Sequence, residues 1–327
     1  MIGSFKGYLS EVFPSQINID VTEFCNLACV HCPYVTVTKL KGRNRQNLRI
    51  DWHQKLIDEI ATTGKGHCRF LRYTGDGEPL LHPQLPELVA YAVSRTNLPV
   101  NITTNGMLLT EERALALLEA GVSVFDISID AHSQDIYEII RVNGNIAITY
   151  EYTHKLIELA KRYNGASKVM VSFVKQPLNL HQVEEFETYW RKAGADFVVL
   201  RNQHSCAASI SEMAEKMWAT APDIRKPCLY PWERLVIKAD GLFTYCPADW
   251  HHLAEIGHIA ESTVQEIWQG EAMTKLREAH LSGNFAQHSF CGKCPDWQVI
   301  QWPSEGRSYA SVMHEFEKHA GTMEANV

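Results

Sequence analysis

Residues 25–32 read Cys25-Asn26-Leu27-Ala28-Cys29-Val30-His31-Cys32, three thiols in the spacing C-x3-C-x2-C. Just before them Ile17, Ile19 and Val21 alternate with polar residues, which is the period of a strand. The cysteines are therefore expected on the loop leaving the carboxyl end of a first β-strand, the end at which α/β folds build active sites. Three close thiolates can ligate three irons of a 4Fe–4S cluster and leave the fourth iron open, whereas a closed cluster takes four. Structural zinc is the alternative, and it wants a closed set of four protein ligands. No fourth cysteine lies close by; His31, between two of the thiols, is the candidate to complete such a set.

Downstream of this loop, strands and helices alternate. Strands are expected near residues 17–22, 69–74, 99–104, 123–130, 168–174 and 197–201, with helical patterns between them. Asp51, with Gln54 three residues on, reads as a helix N-cap. Thr110 followed by two glutamates starts another helix. Six strand-to-helix units imply a parallel sheet with helices outside. Periodicity leaves open whether that sheet is flat and doubly wound or curved into a partial barrel. The second strand exits through Thr74-Gly75-Asp76-Gly77-Glu78-Pro79, a tight turn whose main chain can approach a ligand or can simply turn the chain.

The chain has 327 residues, is 45% hydrophobic and carries a net charge of −7, ample for a core and without the basic footprint of a nucleic-acid binder. A locally basic run (Lys39, Lys41, Arg43, Arg45, Arg49) reads as a solvated loop. There is no signal-peptide layout and no apolar run of membrane-spanning length, so a cytoplasmic protein without a membrane is expected. Nine cysteines in a reducing compartment then read as metal ligands or reactive thiols.

A second thiol set follows a change of pattern near residue 204. Cys228 and Cys246 bracket a hairpin signalled by Asp240-Gly241, and Cys291-Gly292-Lys293-Cys294 lies further on. Four thiolates make a closed site, suited equally to zinc and to a fully ligated iron–sulfur cluster. Of the two remaining cysteines, Cys68 precedes its strand and reads as a small core residue. Cys206 follows the sixth strand at the same mouth as the first set, either as a buried small residue or as a thiol able to hand a hydrogen atom to a substrate radical.

These motifs, in order, resemble a radical S-adenosylmethionine enzyme. The resemblance rests on Cys25-x3-Cys29-x2-Cys32, then Gly75-Asp76-Gly77-Glu78-Pro79, Thr104-Asn105-Gly106 and Ser128-Ile129-Asp130, each after its strand. The run Cys228…Asp240-Gly241…Cys246…Gly257-x-Ile259…Cys291-x2-Cys294 resembles the family's C-terminal SPASM/twitch extension. The resemblance implies a partial (β/α)6 barrel with a small α+β twitch domain. It implies an N-terminal extension at 1–13, a barrel at 14–212, a linker at 213–227, the auxiliary-cluster domain at 228–300 and a tail at 301–327. It further implies that Cys25, Cys29 and Cys32 hold the catalytic 4Fe–4S cluster, and that Cys228, Cys246, Cys291 and Cys294 hold one auxiliary 4Fe–4S cluster. S-adenosylmethionine would be bound by Gly75, Gly77, Glu78, Pro79, Asn105, Ser128 and Asp130. His31 stands where an aromatic residue usually packs on adenine, and Asp76 replaces the first glycine of the commoner Gly-Gly-Glu-Pro form.

On this resemblance the expected reaction is hydrogen abstraction by a 5′-deoxyadenosyl radical, with dehydrogenation of a carbohydrate-like or aminocyclitol small molecule. A flavodoxin or ferredoxin-type protein would donate electrons. Epimerisation with Cys206 as hydrogen donor and modification of a peptide are the alternatives; the first strand begins near residue 16, which favours a small substrate over a peptide. Cys206 and Arg201 are the nominated catalytic residues, with Arg141, Asn202, His204, Asp249 and Trp250 as further nominees. A zinc-bound structural protein is the non-enzymatic rival.

Overall fold

The computed structural model describes residues 3–39, 45–163 and 166–302. Lys41 and Arg43 of the basic run, and the amphipathic pattern expected at residues 308–319, lie outside the described residues. Six strands fall where alternation puts them: β1 Gln16–Ile19, β2 Phe70–Tyr73, β3 Val100–Thr104, β4 Val124–Ser128, β5 Lys168–Lys175 and β6 Phe197–Asn202. Each pairs in parallel with its sequence neighbour. Helices such as Ile50–Thr62, Leu85–Thr96 and Ile146–Arg162 return the chain between them and bury one face each against the sheet. The sheet is a partial barrel.

Three further strands, β7 Arg234–Ile237, β8 Leu242–Thr244 and β9 Glu255–His258, extend this sheet rather than form one of their own. β7 pairs in parallel with β1, Asn18 opposite Val236, and β8 and β9 then add in antiparallel fashion. The hairpin signal at Asp240-Gly241 is realised, with Gly241 at φ +86, a backbone region glycine enters without steric cost. The first part of the segment expected as a linker is helical, Ser211–Ala219.

One cap differs from expectation. Asp51 does not cap its helix: the N-cap is Arg49 and Asp51 lies in the first turn. Its carboxylate pairs with the Arg49 guanidinium at 2.9 and 2.6 Å. Thr110 caps as its sequence suggests, and Thr263 caps its helix with the reciprocal Glu266 bond of a capping box.

The two faces of the strands carry different chemistry. Ile17, Ile19, Leu71, Tyr73, Ile102, Phe125, Ile127, Val171 and Phe173 point outward into the helix layer and form the main core. Each such buried side chain contributes roughly 1.5–3 kcal/mol. The opposite face lines the barrel interior. Its floor is apolar, Phe70, Val124 and Met170 closed from below by Tyr8 of the N-terminal segment. Above the floor lie Arg72, Thr103, Asp126 and Arg201, joined by hydrogen bonds across the strands. The carboxyl ends of the strands open at the top.

Candidate active site between two cysteine sets

The first cysteine loop is positioned by its main chain. Ala28 N–H donates to Val142 O and Val30 N–H to Ile140 O, both at 3.0 Å, fastening the loop to the segment after the helix Gln134–Ile140. The Tyr34 hydroxyl accepts the Cys25 amide at 2.9 Å and an Arg45 N–H at 2.6 Å. Between the fastened amides, Arg141 sends Nη1 to Cys29 Sγ at 3.6 Å and Nη2 to the Asp130 carboxylate. Burial pushes the Cys25 and Cys32 thiols up to about 12 and raises Cys29 as well, against the pull of Arg141. Buried thiols of this kind carry negative charge only when a metal compensates it.

The glycine turn after β2 is packed by the backbone around it. A Cβ on Gly77 would stand 2.2 Å from Thr22 O and 2.5 Å from Phe24 O, and one on Gly75 would stand 2.2 Å from Asp20 Cγ. Glu78 is buried and fully engaged. Its carboxylate accepts the Thr104 hydroxyl at 2.6 Å, the Asn105 amide at 2.8 Å and the Leu80 amide at 3.1 Å. Pro79 opens a short 3-10 turn behind it. Asn105 Nδ2 in turn reaches Asn26 Oδ1 at 2.8 Å, linking the third strand's exit to the cysteine loop.

Ser128, the last residue of β4, and Asp130 just beyond it lie at the same mouth. Asp130, at φ +66, accepts the Val174 amide at 2.7 Å and stands 3.5 Å from His31 Nε2. His31 Nδ1 faces the Gln176 side-chain amide at 3.1 Å. Burial lowers the imidazole to about 4, so it is neutral near pH 7 and its Nδ1 can accept from Gln176. The structure thus brings together His31, Asp130, Glu78, Asn105 and the three cysteines.

The second set also converges. Cys228, Cys246, Cys291 and Cys294 line one cavity with Tyr245 and His280. Burial raises all four thiols, Cys228 to about 12 and Cys291 to about 11. Among the described residues no group of three or more Cys, His, Asp or Glu closes round a single metal ion. Thiolates are the ligands of iron–sulfur clusters, three where one iron stays open and four where the cluster is closed. Both donor sets fit a polynuclear iron–sulfur group.

Cys206 lies between the sets. Its thiol points to His31 O at 3.8 Å, packs with Tyr34 and Trp250, and is influenced by both Cys32 and Cys294. Asp249 accepts the Leu253 and Ala254 amides at 2.9 and 2.8 Å, holding the loop after Cys246. His204 Nδ1 accepts the Cys206 amide at 3.1 Å, and Asn202 is exposed. Arg201 lies in the barrel interior, its Nη2 2.6 Å from Asp126 Oδ2.

Sequence reasoning missed one cluster. Lys238 Nζ, just past β7, lies 2.7 Å from Asp76 Oδ1, and Asp20, just past β1, accepts the Asp76 amide at 3.0 Å. Asp20, Asp76 and Lys238 are 1%, 6% and 3% exposed. Burial and then Asp76 raise the Asp20 carboxyl well above the usual range; burial opposes the Lys238 ammonium, yet Asp76 and Asp20 raise it on balance. A signal existed: Gln16, Asn18 and Asp20 form the polar register of β1. The partner on β7 was not legible.

The Radical SAM superfamily matches residues 19–188, and an iron-sulfur cluster-binding domain matches residues 228–295. A probable GTP 3',8-cyclase of Methanococcus maripaludis is 31% identical over 186 residues, 55% of this chain and 56% of that protein. A mycofactocin maturase of Mycobacterium ulcerans is 27% identical over 244 residues, 75% of this chain and 60% of that protein. The chain thus spans a little over half the length of these relatives. Among solved structures, BtrN in complex with AdoMet and 2-DOIA superposes with a TM-score of 0.59 at 18% identity, covering 86% of this chain and 92% of that one. Streptococcus suis SuiB bound to the precursor peptide SuiA gives 0.65 at 13% identity, covering 93% and 73%. At these identities the likeness is one of fold. No helix among the described residues is long and apolar enough to cross a membrane.

Proposed function

Since the chain belongs to the Radical SAM superfamily, an enzyme family whose cofactors are S-adenosylmethionine and a 4Fe–4S cluster, here with an auxiliary cluster, we propose that it dehydrogenates a hydroxyl-bearing small molecule. When bound, these groups supply a 5′-deoxyadenosyl radical that removes a hydrogen atom from substrate carbon. We assign Cys25, Cys29 and Cys32 to the catalytic cluster and Cys228, Cys246, Cys291 and Cys294 to the auxiliary one. Gly75, Gly77, Glu78, Pro79, Asn105, Ser128, Asp130 and His31 form the S-adenosylmethionine seat. A flavodoxin or ferredoxin-type protein is the proposed electron donor.

The observation that carries dehydrogenation over the alternatives is the buried Lys238–Asp76–Asp20 cluster at the barrel mouth. Turning a carbinol carbon into a ketone requires loss of the carbon-bound hydrogen atom, of the hydroxyl proton and of one further electron, which the auxiliary cluster would accept. Burial and the neighbouring Asp76 charge raise the Asp20 carboxyl, so this Lys238–Asp76–Asp20 cluster can take up a proton and hold it there. Its place at the exits of β1, β2 and β7 is where α/β enzymes concentrate chemistry.

A second reading, peptide modification, is favoured by the 27% identity to a mycofactocin maturase over 244 residues. Anaerobic incubation of the reconstituted enzyme with S-adenosylmethionine and a panel of sugars, aminocyclitols, nucleosides and peptides separates the two. Dehydrogenation predicts 5′-deoxyadenosine together with a small molecule lighter by two hydrogens. Inversion at carbon without mass change, or modification of peptides alone, would overturn it.

A further inference from the structure

Three hydrogen-bond donors from separate parts of the chain converge on the second thiol set. Arg225 precedes Cys228, Tyr245 follows β8, and His280 lies in the last turn of the helix Glu271–Ser282. All three line the cavity shared by Cys228, Cys246, Cys291 and Cys294.

Arg225 is fixed against the Cys291–Cys294 knuckle. Its Nη2 donates to Cys291 O at 2.8 Å and its Nη1 to Gly292 O at 3.4 Å. The guanidinium lies over the Phe285 ring, 4.1 Å from its centroid. Burial works against its charge, and the charges that favour it are those of Cys291, Cys294 and Cys228. An arginine stays protonated in proteins, so thiolates here face a permanent cation. Its Nε is buried and has no hydrogen-bond partner.

His280 carries a second orphaned donor. The Cys228 amide donates to Nδ1 at 3.4 Å, so the ring proton sits on Nε2. His280 is 5% exposed, and Nε2 has no partner. The ring packs edge-on against Phe285 and Trp232, at centroid distances of 4.9 and 6.1 Å. The Tyr245 hydroxyl bonds to the Cys291 thiol, and its ring packs edge-on against Phe290 at 6.1 Å. Two carboxylates are also near. Asp249 accepts the Leu253 and Ala254 amides and Asp296 the Ser205 and Ala207 amides, so all four oxygens are engaged by the main chain. Buried donors are paired in native proteins, and the acceptors this cavity offers to Nε2 are sulfurs.

An iron–sulfur cluster gains negative charge on reduction. Hydrogen bonds to its sulfurs and a nearby cation stabilise that added charge and so set its potential. The first thiol set is arranged differently: Arg141 reaches Cys29 Sγ, but its other terminal nitrogen pairs with Asp130. We infer that Arg225, Tyr245 and His280 are positioning residues for the auxiliary cluster, one cation and two hydrogen-bond donors that raise its reduction potential and suit it to accept an electron. The inference rests on the assignment of that cluster to these four cysteines. It deepens the dehydrogenase reading, in which the substrate gives up a second electron.

The test is a redox titration, followed by electron paramagnetic resonance, of the reconstituted full chain carrying both clusters. The signal that S-adenosylmethionine does not alter belongs to the auxiliary cluster. Tyr245→Phe and His280→Phe should each lower its midpoint. Arg225→Met should lower it by about 59 mV or more, a tenfold change in the ratio of reduced to oxidised cluster at fixed potential. Arg225→Lys keeps the charge and should recover most of that shift. Tyr245→Phe removes a single hydroxyl, and it reads the proposal alone if the other variants do not retain about eight irons. Unchanged or raised midpoints at full iron content overturn the inference. So does lost iron with an unchanged midpoint in the clusters that remain, the mark of a purely structural role. Unchanged midpoints with a ketone product overturn it and leave dehydrogenation standing. Lowered midpoints with an epimerised product do the reverse.

Discussion

Asp296, two residues past Cys294, accepts both the amide and the hydroxyl of Ser205, at 2.7 and 2.6 Å, and its second oxygen accepts the Ala207 amide at 2.7 Å. One carboxylate of the auxiliary knuckle thus grips the loop that leaves β6. Cys206, Ala207 and Ala208 follow at φ +53, +54 and +69, a left-handed run that costs roughly 1–2 kcal/mol per residue. The thiol between the two cysteine sets is held there against that cost by a residue remote in sequence.

Asp296→Asn keeps one acceptor and loses the charge and the other. The variant is expected to be less stable by about 1–2 kcal/mol, measured by urea denaturation of the anaerobic protein, and its Cys206 should be alkylated faster. Equal stability and equal labelling rates would show that the grip is incidental.

Cys206 itself separates two reaction outcomes. Cys206→Ala should leave dehydrogenation within a few-fold of wild type, because no hydrogen atom has to be returned to the substrate. Loss of product with continued formation of 5′-deoxyadenosine would instead identify an epimerase.

The two thiol sets should be independent in iron content. Cys25→Ala and Cys228→Ala should each lower bound iron from about eight to about four atoms per chain, read by iron and sulfide analysis. Only Cys25→Ala should abolish S-adenosylmethionine cleavage outright. Zinc without sulfide in either set would sink the assignment.

Gly77→Ala places a methyl against two backbone carbonyls, 2.2 and 2.5 Å away. Neither belongs to a side chain that can swing aside, so the loop between β1 and the cysteines must move. Affinity for S-adenosylmethionine should fall at least tenfold by calorimetry; wild-type affinity would mean that the turn is not part of the seat.

Asp126 sets a pH dependence. Burial raises its carboxyl, but Arg201 and then Arg72 more than reverse this, so it titrates below the ordinary range. A depressed folded-state value means its stabilisation is complete above the unfolded value of about 3.9 and is lost as pH falls through the folded one. Asp126→Asn should therefore lack this part of the acid-limb loss while being less stable at pH 7, by about 3 kcal/mol. Parallel stability curves across pH 2–7 would refute the coupling.

Much of this molecule is local information. The strands alternate cleanly, and Cys25-x3-Cys29-x2-Cys32, Gly75–Pro79 and Cys291-x2-Cys294 are contiguous stretches, so the parallel sheet and both thiol sets were legible from spacing, and the ordered motifs carried the resemblance to the family. Even the polar interior was present as Gln16, Asn18 and Asp20 alternating with isoleucines, unusual for a strand buried on both faces. What spacing could not supply was partnership across crossovers. Lys238 meets Asp76 across 162 residues, Arg201 meets Asp126 across 75, and Asp296 meets Ser205 across 91. Each contact depends on strand order and register, above all on β7 pairing in parallel with β1, and periodicity carries a residue's facing direction but not its neighbour. The thiol sets and the alternation of strands and helices were therefore determined by the sequence itself, while the buried Lys238–Asp76–Asp20 cluster, the grip on Cys206 and the charged interior layer were decided only when the sheet brought remote side chains together.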